Sequence, residues 1–133
     1  MKDRLIQIIK QQAEVFLLDA GEFFPFGSCI DSDNKIIPIG AFIEHENDRP
    51  ASLEVISLLE SGMHKELEQG RYLCGAIAVD VLLKENEKTF DAMQIRFFEI
   101  GKEYVETFKY IIEEGRVEFD NEPNSSFNCN GVA

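Results

Sequence analysis

The first helix is predicted by apolar residues that recur three and four positions apart near the start of the chain. Gly21 follows this stretch as a natural helix stop. The spacing therefore predicts a helix over residues 3–20, whose apolar stripe consists of Leu5, Ile8, Ile9, Ala13, Phe16 and Leu17.

A second helix is predicted after the turn at residues 47–50. Asp48 or Ser52 can cap its first turn, because both side chains offer an oxygen to the free backbone N–H groups. Gly70 ends this helix, and its apolar stripe consists of Ile56, Leu59, Met63 and Leu67.

A β-hairpin is predicted between the two helices, where residues 22–30 and 36–43 flank the turn-rich residues 31–35. Pro25 and Pro38 cannot donate a backbone hydrogen bond to a neighbouring strand. The two strands are therefore expected at a sheet edge, or starting only after their prolines.

The stretch from residue 72 to residue 84 alternates as a strand with two different faces. Its odd positions are mostly apolar, and we expect its even positions to face solvent or a partner because they are small or polar. These even positions are Tyr72, Cys74, Ala76, Ala78 and Asp80. A loop over residues 85–89, strands over 90–100 and 104–112, and a short edge segment over 116–119 follow.

These elements predict an α+β fold with an antiparallel sheet of about five strands and two helices, in the order α-β-β-α-β-β-β. Both helices are expected on one face of the sheet. We predict one domain over residues 1–120 and a disordered C-terminal tail over residues 121–133, because the tail is rich in Asn and Ser.

The order of the elements over residues 3–112 resembles that of roadblock and profilin-like domains. The Phe-Pro-Phe-Gly segment at residues 24–27, followed by the turn at residues 31–35, is similar to a hairpin of small uncharacterised bacterial proteins. Neither resemblance implies an activity or assigns a functional residue.

The chain is strongly acidic, and this charge limits the classes of partner. Its 133 residues contain 25 Asp and Glu against 13 Lys and Arg, which gives a formal net charge of −12. Such a field repels nucleic acid and anionic membranes, and it attracts cationic proteins. The chain starts without a continuous apolar signal-peptide core, and the longest apolar run, residues 75–83, is interrupted by Asp80. We therefore expect a cytoplasmic protein. The negative charge of the chain favours a protein partner that is basic.

The three cysteines are far apart and form no closely spaced pair, which argues against a disulfide framework and against a structural zinc site. Cys29 and Cys74 lie in apolar stretches and are expected in the core, whereas Cys129 lies in the polar tail. Asp31 opens a stretch like a calcium loop, but Lys35 stands at a ligand position and favours a plain hairpin turn.

The two histidines are the remaining candidate metal ligands. His45 lies between two glutamates, and adjacent side chains on a strand point to opposite faces, so a solvated strand end is favoured over a metal site. No pattern indicates a catalytic nucleophile, an acid–base pair or a phosphate loop. No catalytic residue, metal or cofactor is therefore predicted.

The leading hypothesis is a non-enzymatic protein-interaction module, such as an immunity or adaptor protein that binds a basic partner. A simple register of the two long strands would place Asp80 opposite or diagonal to Arg96, beside two phenylalanines that would otherwise be exposed. The resulting face is either a solvated surface with a cross-strand ion pair or an interface. It consists of Tyr72, Asp80, Phe90, Arg96 and Phe98.

The alternative hypothesis is a small-ligand or metal-binding domain with a pocket between the aromatic hairpin and the second helix. Its candidate residues are Phe26, His45 and His64. The half-apolar sheet face can also pair with a second copy across a two-fold axis, so a homodimer remains an open alternative.

Overall fold

A six-stranded antiparallel sheet forms the centre of the computed structural model, which describes residues 2–39 and 52–120. The strands lie in the order β2-β1-β3-β4-β5-β6. The predicted α+β class is confirmed, and the sheet gains its sixth strand because the short segment at residues 116–119 pairs with the end of the preceding strand. The elements are α1 (Lys2–Ala20), β1 (Phe26–Asp31), β2 (Ile36–Ile39), α2 (Ser52–Glu68), β3 (Tyr72–Glu85), β4 (Lys88–Glu99), β5 (Lys102–Glu113) and β6 (Arg116–Phe119).

Both helices end where the sequence places a glycine. Gly21 adopts a φ of 77° and its N–H donates to the Leu17 carbonyl at 2.8 Å. Gly70 adopts a φ of 76°, also in the left-handed region that suits a residue without a Cβ atom. None of the described helices is long and apolar enough to cross a membrane.

The two helices lie on opposite faces of the sheet, so the prediction that both lie on one face is wrong. One buried cluster joins α1 to the even positions of β3, and a second joins α2 to its odd positions. The side chains of Cys74, Ala76 and Ala78 are small, so α1 packs closely against them and buries them. The prediction that this side of the strand faces solvent or a partner is therefore wrong.

The sheet curls around α1. Ser28 on β1 donates to Gln12 Oε1 at 3.2 Å, and the Val117 N–H on β6 donates to Glu14 Oε2 at 3.2 Å. One helix thus contacts strands that lie near opposite edges of the sheet. The concave face around α1 will be called the α1 side, and the other face the α2 side.

The register of β3 and β4 differs from the predicted one. Asp80 lies opposite Met93, and Arg96 lies opposite Ile77. Because directly opposed residues share a face, odd positions of β3 lie beside even positions of β4. Asp80 is therefore on the α1 side and Arg96 on the α2 side, so the predicted neighbourhood of these two residues is wrong.

The physical cause of this register is the turn between the two strands. Asn86 and Glu87 have φ angles of 49° and 67°, which is the geometry of a two-residue type I′ turn. The loop predicted over residues 85–89 is longer than this turn, and it would shift the pairing of the two strands by one residue. Such a shift moves every side chain of a strand to the other face of the sheet, which is why the predicted faces were wrong.

The predicted hairpin turn after β1 is confirmed. Asp31 Oδ1 accepts the backbone N–H groups of Asp33 and Lys35, both at 2.9 Å, and Asn34 has a φ of 66°. The carboxylate therefore holds the turn closed. The proline prediction is also confirmed, since β1 starts just after Pro25 and β2 is an edge strand.

Candidate functional site

The five residues predicted to form one interaction face are divided between the two sides of the sheet. Asp80 is on the α1 side, while Phe90, Arg96 and Phe98 are on the α2 side. Tyr72 is half-buried and packs against the cluster under α2. It lies opposite Asp31, where the pairing of β1 with β3 shifts register after Ile30. The predicted face is therefore not a single surface.

The two phenylalanines expected to be exposed side by side are both engaged. Phe98 is 2% exposed, and His64 of α2 makes a T-shaped contact with its ring at 5.3 Å. Phe90 is half-buried, and the Lys109 ammonium lies 4.2 Å from its ring centroid. Of the original five, Phe90 and Arg96 lie on β4 beside the exposed α2-side residues of β5.

The structure also separates the residues of the predicted ligand pocket. Phe26 contacts Phe16 and Phe23 edge-to-face at 5.3 and 5.4 Å on the α1 side. His64 lies on α2, across the sheet from Phe26. The third candidate, His45, lies outside the described residues. Phe26 and His64 therefore do not line one pocket, because the sheet stands between them.

Asp80 anchors the loop that follows α1. The Tyr110 hydroxyl donates to Asp80 Oδ1 at 2.7 Å, and the Phe23 N–H donates to Oδ2 at 3.4 Å. Burial raises the pKa of Asp80 above its ordinary value, while these two donors oppose that shift by stabilising the carboxylate. Burial and the adjacent carboxylate raise the pKa of Tyr110 as well. The bond from Tyr110 connects β5 to β3, and the bond from Phe23 connects the loop after α1 to β3.

The thiols of the core match the prediction that they are ordinary packing residues. Cys29 and Cys74 are both buried. Burial raises the pKa of Cys29 to about 11, so its thiol stays protonated near neutral pH and is a poor nucleophile. Cys129 lies outside the described residues.

The accessible part of the α2 side is the surface of β4 and β5 that continues past α2. Val105 and Ile111 are 54% and 59% exposed there. Arg96 marks the border with the helix, since its Nη1 lies 3.3 Å from Glu60 Oε2 of α2. We call this surface the open face, and it consists of Phe90, Gln94, Arg96, Val105, Thr107, Lys109 and Ile111.

Three cations on or beside the open face are paired with carboxylates. Arg96 pairs with Glu60, Lys109 Nζ lies 2.6 Å from Glu85, and Arg116 on β6 lies 2.6 Å from Glu118. Further carboxylates on β5, Glu103 and Glu113, fall on the same side by register. The surface therefore combines exposed aliphatic side chains with a surplus of negative charge.

An open cleft of about 410 Å³ adjoins this surface where β4 turns into β5. His64 Nε2 lies 3.4 Å from Glu103 Oε2 on one wall. Three carboxylates and one lysine line the cleft, so it too is acidic. The described residues contain no group of three or more side chains placed to hold a metal ion. The full lining is His64, Leu67, Glu68, Glu99, Ile100, Gly101, Lys102 and Glu103.

Sequence reasoning missed Val105, Thr107 and Ile111, which form the centre of the open face. Their signal was present as alternate positions of a strand, but the face they share is fixed only by the strand register and by the reach of α2. No family model, curated protein or solved structure matches this chain.

Proposed function

We propose that this chain is a non-enzymatic protein-interaction module that binds a basic partner through the open face. The observation that carries the proposal is that Val105 and Ile111, on one face of β5, are more than half accessible where α2 covers the sheet only in part. Exposed apolar residues on a partly polar surface are typical of protein-binding sites.

The charge of the surface supports a basic partner. The net charge of the chain is −12, and the cations at the open face already have carboxylate partners. A cationic protein would be steered toward this surface and would meet Glu103 and Glu113 at its margin. A second acidic copy would be repelled at long range by the same field.

The buried polar groups support a role other than catalysis. Tyr110 and Asp80 bond to each other, and Ser28 bonds to Gln12 beneath α1. Each of these groups is used in holding an element of the fold in place. An immunity or adaptor protein is one concrete form of the proposal.

The experiment is affinity purification of the tagged chain from its native lysate, at low and moderate salt, compared with the variant Val105→Glu. We expect a stoichiometric basic partner that the variant loses, because a carboxylate at position 105 would have to give up its water in an apolar contact. Salt should weaken the same complex, because it screens the attraction between the acidic surface and the partner. The matched control is Val15→Glu, since Val15 is 66% exposed and lies on α1, on the other side of the sheet from the open face.

Two results would refute the proposal. One is a partner that Val105→Glu retains as fully as Val15→Glu does. The other is a homodimer in light scattering that only Val105→Glu disrupts, which would assign the open face to self-association.

The cleft beside His64 favours a second candidate function, the binding of a small cationic ligand. Its volume of about 410 Å³ is within the range of small-molecule sites. A thermal-shift screen with metabolites and metal ions tests it, because a ligand selective for the native state raises the apparent melting temperature. His64→Ala should remove any such shift, and a shift that persists would place the ligand elsewhere.

A further inference from the structure

The N-terminal part of β5 has a free edge in the described part of the chain. β6 pairs only with Tyr110 to Glu113, and the last backbone contact runs from the Asp120 N–H to the Lys109 carbonyl at 2.9 Å. No described strand pairs with residues 102–108 on the side away from β4. About half of β5 thus borders a strand on one side only.

The backbone groups at this edge point outward. The Lys109 carbonyl is directed toward β6, away from β4, because it accepts from Asp120. In an antiparallel strand, the N–H and C=O groups of residues two apart point the same way. Val105 and Thr107 therefore present their donors and acceptors to the free edge.

The two outermost strands, β6 and β2, are each protected at their outer edge. On β6, the Val117 N–H donates to Glu14 of α1, and on β2 the edge contains Pro38. Both features oppose the addition of another strand. The β5 edge lacks a proline, and none of the hydrogen bonds of the described residues caps Val105 or Thr107.

We infer that this edge binds an extended segment of the partner as an added antiparallel strand. The inference rests on the proposed function, because the edge borders the open face and shares Val105 and Thr107 with it. The backbone of β5 would supply the hydrogen bonds, and its alternate side chains would supply the selectivity.

The side chains define the chemistry of the segment. On the α2 side, Val105 is 54% exposed, so it would contact an apolar residue of the bound segment. Glu103, two positions earlier on the same face, would pair with a basic residue of that segment. Glu68 and Glu99 in the adjoining cleft add to this negative field. On the α1 side, Glu106 is already held by Lys2 at 2.7 Å. In the bound antiparallel segment, an apolar residue opposite Val105 is therefore followed two positions later by a basic residue opposite Glu103.

The test uses a fluorescent synthetic peptide in which valine and arginine alternate with threonine, titrated by anisotropy against the full chain. Thr107→Pro removes one outward N–H but leaves the bonds from β5 to β4, because the Thr107 N–H points away from β4. We expect the peptide to bind about tenfold or more weakly to this variant, and unchanged to Thr107→Val, which keeps the N–H.

A second measurement leaves the protein untouched, so a folding defect in Thr107→Pro cannot obscure the answer. The same peptide is methylated on the backbone nitrogens of alternate residues, which removes the donors of one strand edge. We expect loss of binding for one methylation register and retention for the other. A peptide with glutamate in place of arginine should bind at least about tenfold more weakly, since it meets Glu103.

Equal binding of the methylated and unmethylated peptides would overturn the inference. Binding that is absent in the full chain and appears only on deleting residues 121–133 would also overturn it, because the chain itself would then be the occupant of the edge. If the purified partner is lost by Val105→Glu but kept by Thr107→Pro, the open face binds without strand addition, and the proposed function survives alone.

Discussion

The two sides of the sheet differ in how completely a helix covers them. On the α1 side, the curled sheet encloses the helix, and buried residues extend from β1 to β5. On the α2 side, the described members of the buried cluster come from α2, β1, β3 and the end of β4 at Phe98, and Ile39 of β2 packs against them. Val105 and Ile111 on β5 remain more than half exposed there.

This difference indicates which side stabilises the fold and which is available for binding. The α1 side places small residues such as Ala76 and Ala78 under the helix and large aromatic residues such as Phe97 and Phe108 around it. Close packing of this kind leaves no room for a partner. Within residues 2–39 and 52–120, no helix covers the open face, so its side chains are available for recognition.

The largest expected effect comes from truncating the centre of the α1 side. Ile9 is fully buried, and Ile9→Ala should lower the free energy of unfolding by about 2 to 5 kcal/mol through lost burial and a residual cavity. The matched substitution Ile111→Ala, at a side chain that is 59% exposed, should change it by less than about 0.5 kcal/mol. Urea denaturation followed by circular dichroism measures both, and equal losses would contradict the division between the two sides.

Glycine substitutions on the α2 side compare two kinds of close approach. A Cβ atom at Gly27 would lie 2.7 Å from the Ala76 carbonyl oxygen, which belongs to the backbone of the central strand. A Cβ atom at Gly75 would overlap the end of the Met63 side chain. Gly27→Ala should therefore cost about 2 to 3 kcal/mol and Gly75→Ala about 1 kcal/mol, since a methionine can move and a strand cannot. Thermal melts of the two variants would rank them, and the reverse order would show that Met63 is locked under α2.

The helices were predictable because their signals are local. The three-and-four spacing of Leu5, Ile9 and Ala13 marks the buried stripe of α1 directly, and the predicted range of 3–20 agrees with Lys2–Ala20 to within one residue. The same holds for Gly21, which ends the helix for reasons contained in its own backbone.

The cover of the sheet was not predictable because it depends on distant packing. Small residues such as Ala76 and Ala78 are equally compatible with a solvent-facing strand and with a strand against which a helix packs closely. The strand register depended on positive φ angles at Asn86 and Glu87, and a glutamate gives no sequence signal for that conformation. The predicted interaction face was wrong for the same reason, because Arg96 and Asp80 share a face only in a register that the two strands do not adopt.

A smaller effect is expected at the hydrogen bond between Tyr110 and Asp80 on the α1 side. Tyr110→Phe removes a donor to a half-buried carboxylate and should cost about 1.5 to 2 kcal/mol at neutral pH. Tyr104→Phe is the control, because that ring stacks on Phe97 at 5.0 Å and its hydroxyl is not bonded to Asp80. Urea denaturation at several pH values measures both variants.

The pH dependence of this effect has a defined sign. Burial raises the folded-state pKa of Asp80 above its ordinary value of 3.8, so the native state binds this proton more tightly than the unfolded chain does. The contribution of Asp80 to stability is therefore greatest below pH 3.8 and decreases as the pH rises through the raised pKa. Tyr110 stabilises the charged form, so the cost of Tyr110→Phe should shrink in acid, and a cost that grows in acid would contradict this assignment.

The smallest expected effect concerns Glu14, whose carboxylate caps the outer edge of β6. Glu14→Ala removes the acceptor of the Val117 N–H and should cost about 0.5 to 1 kcal/mol, because water can replace a half-exposed acceptor. Glu14→Gln keeps an acceptor oxygen and should cost less. Amide hydrogen exchange at Val117 should accelerate in Glu14→Ala but hardly in Glu14→Gln, whereas exchange at Thr107 on the free edge should be fast in both. If Thr107 exchanged as slowly as Val117 in the unsubstituted chain, the two edges would not differ, and the contrast that favours strand addition at β5 would be lost.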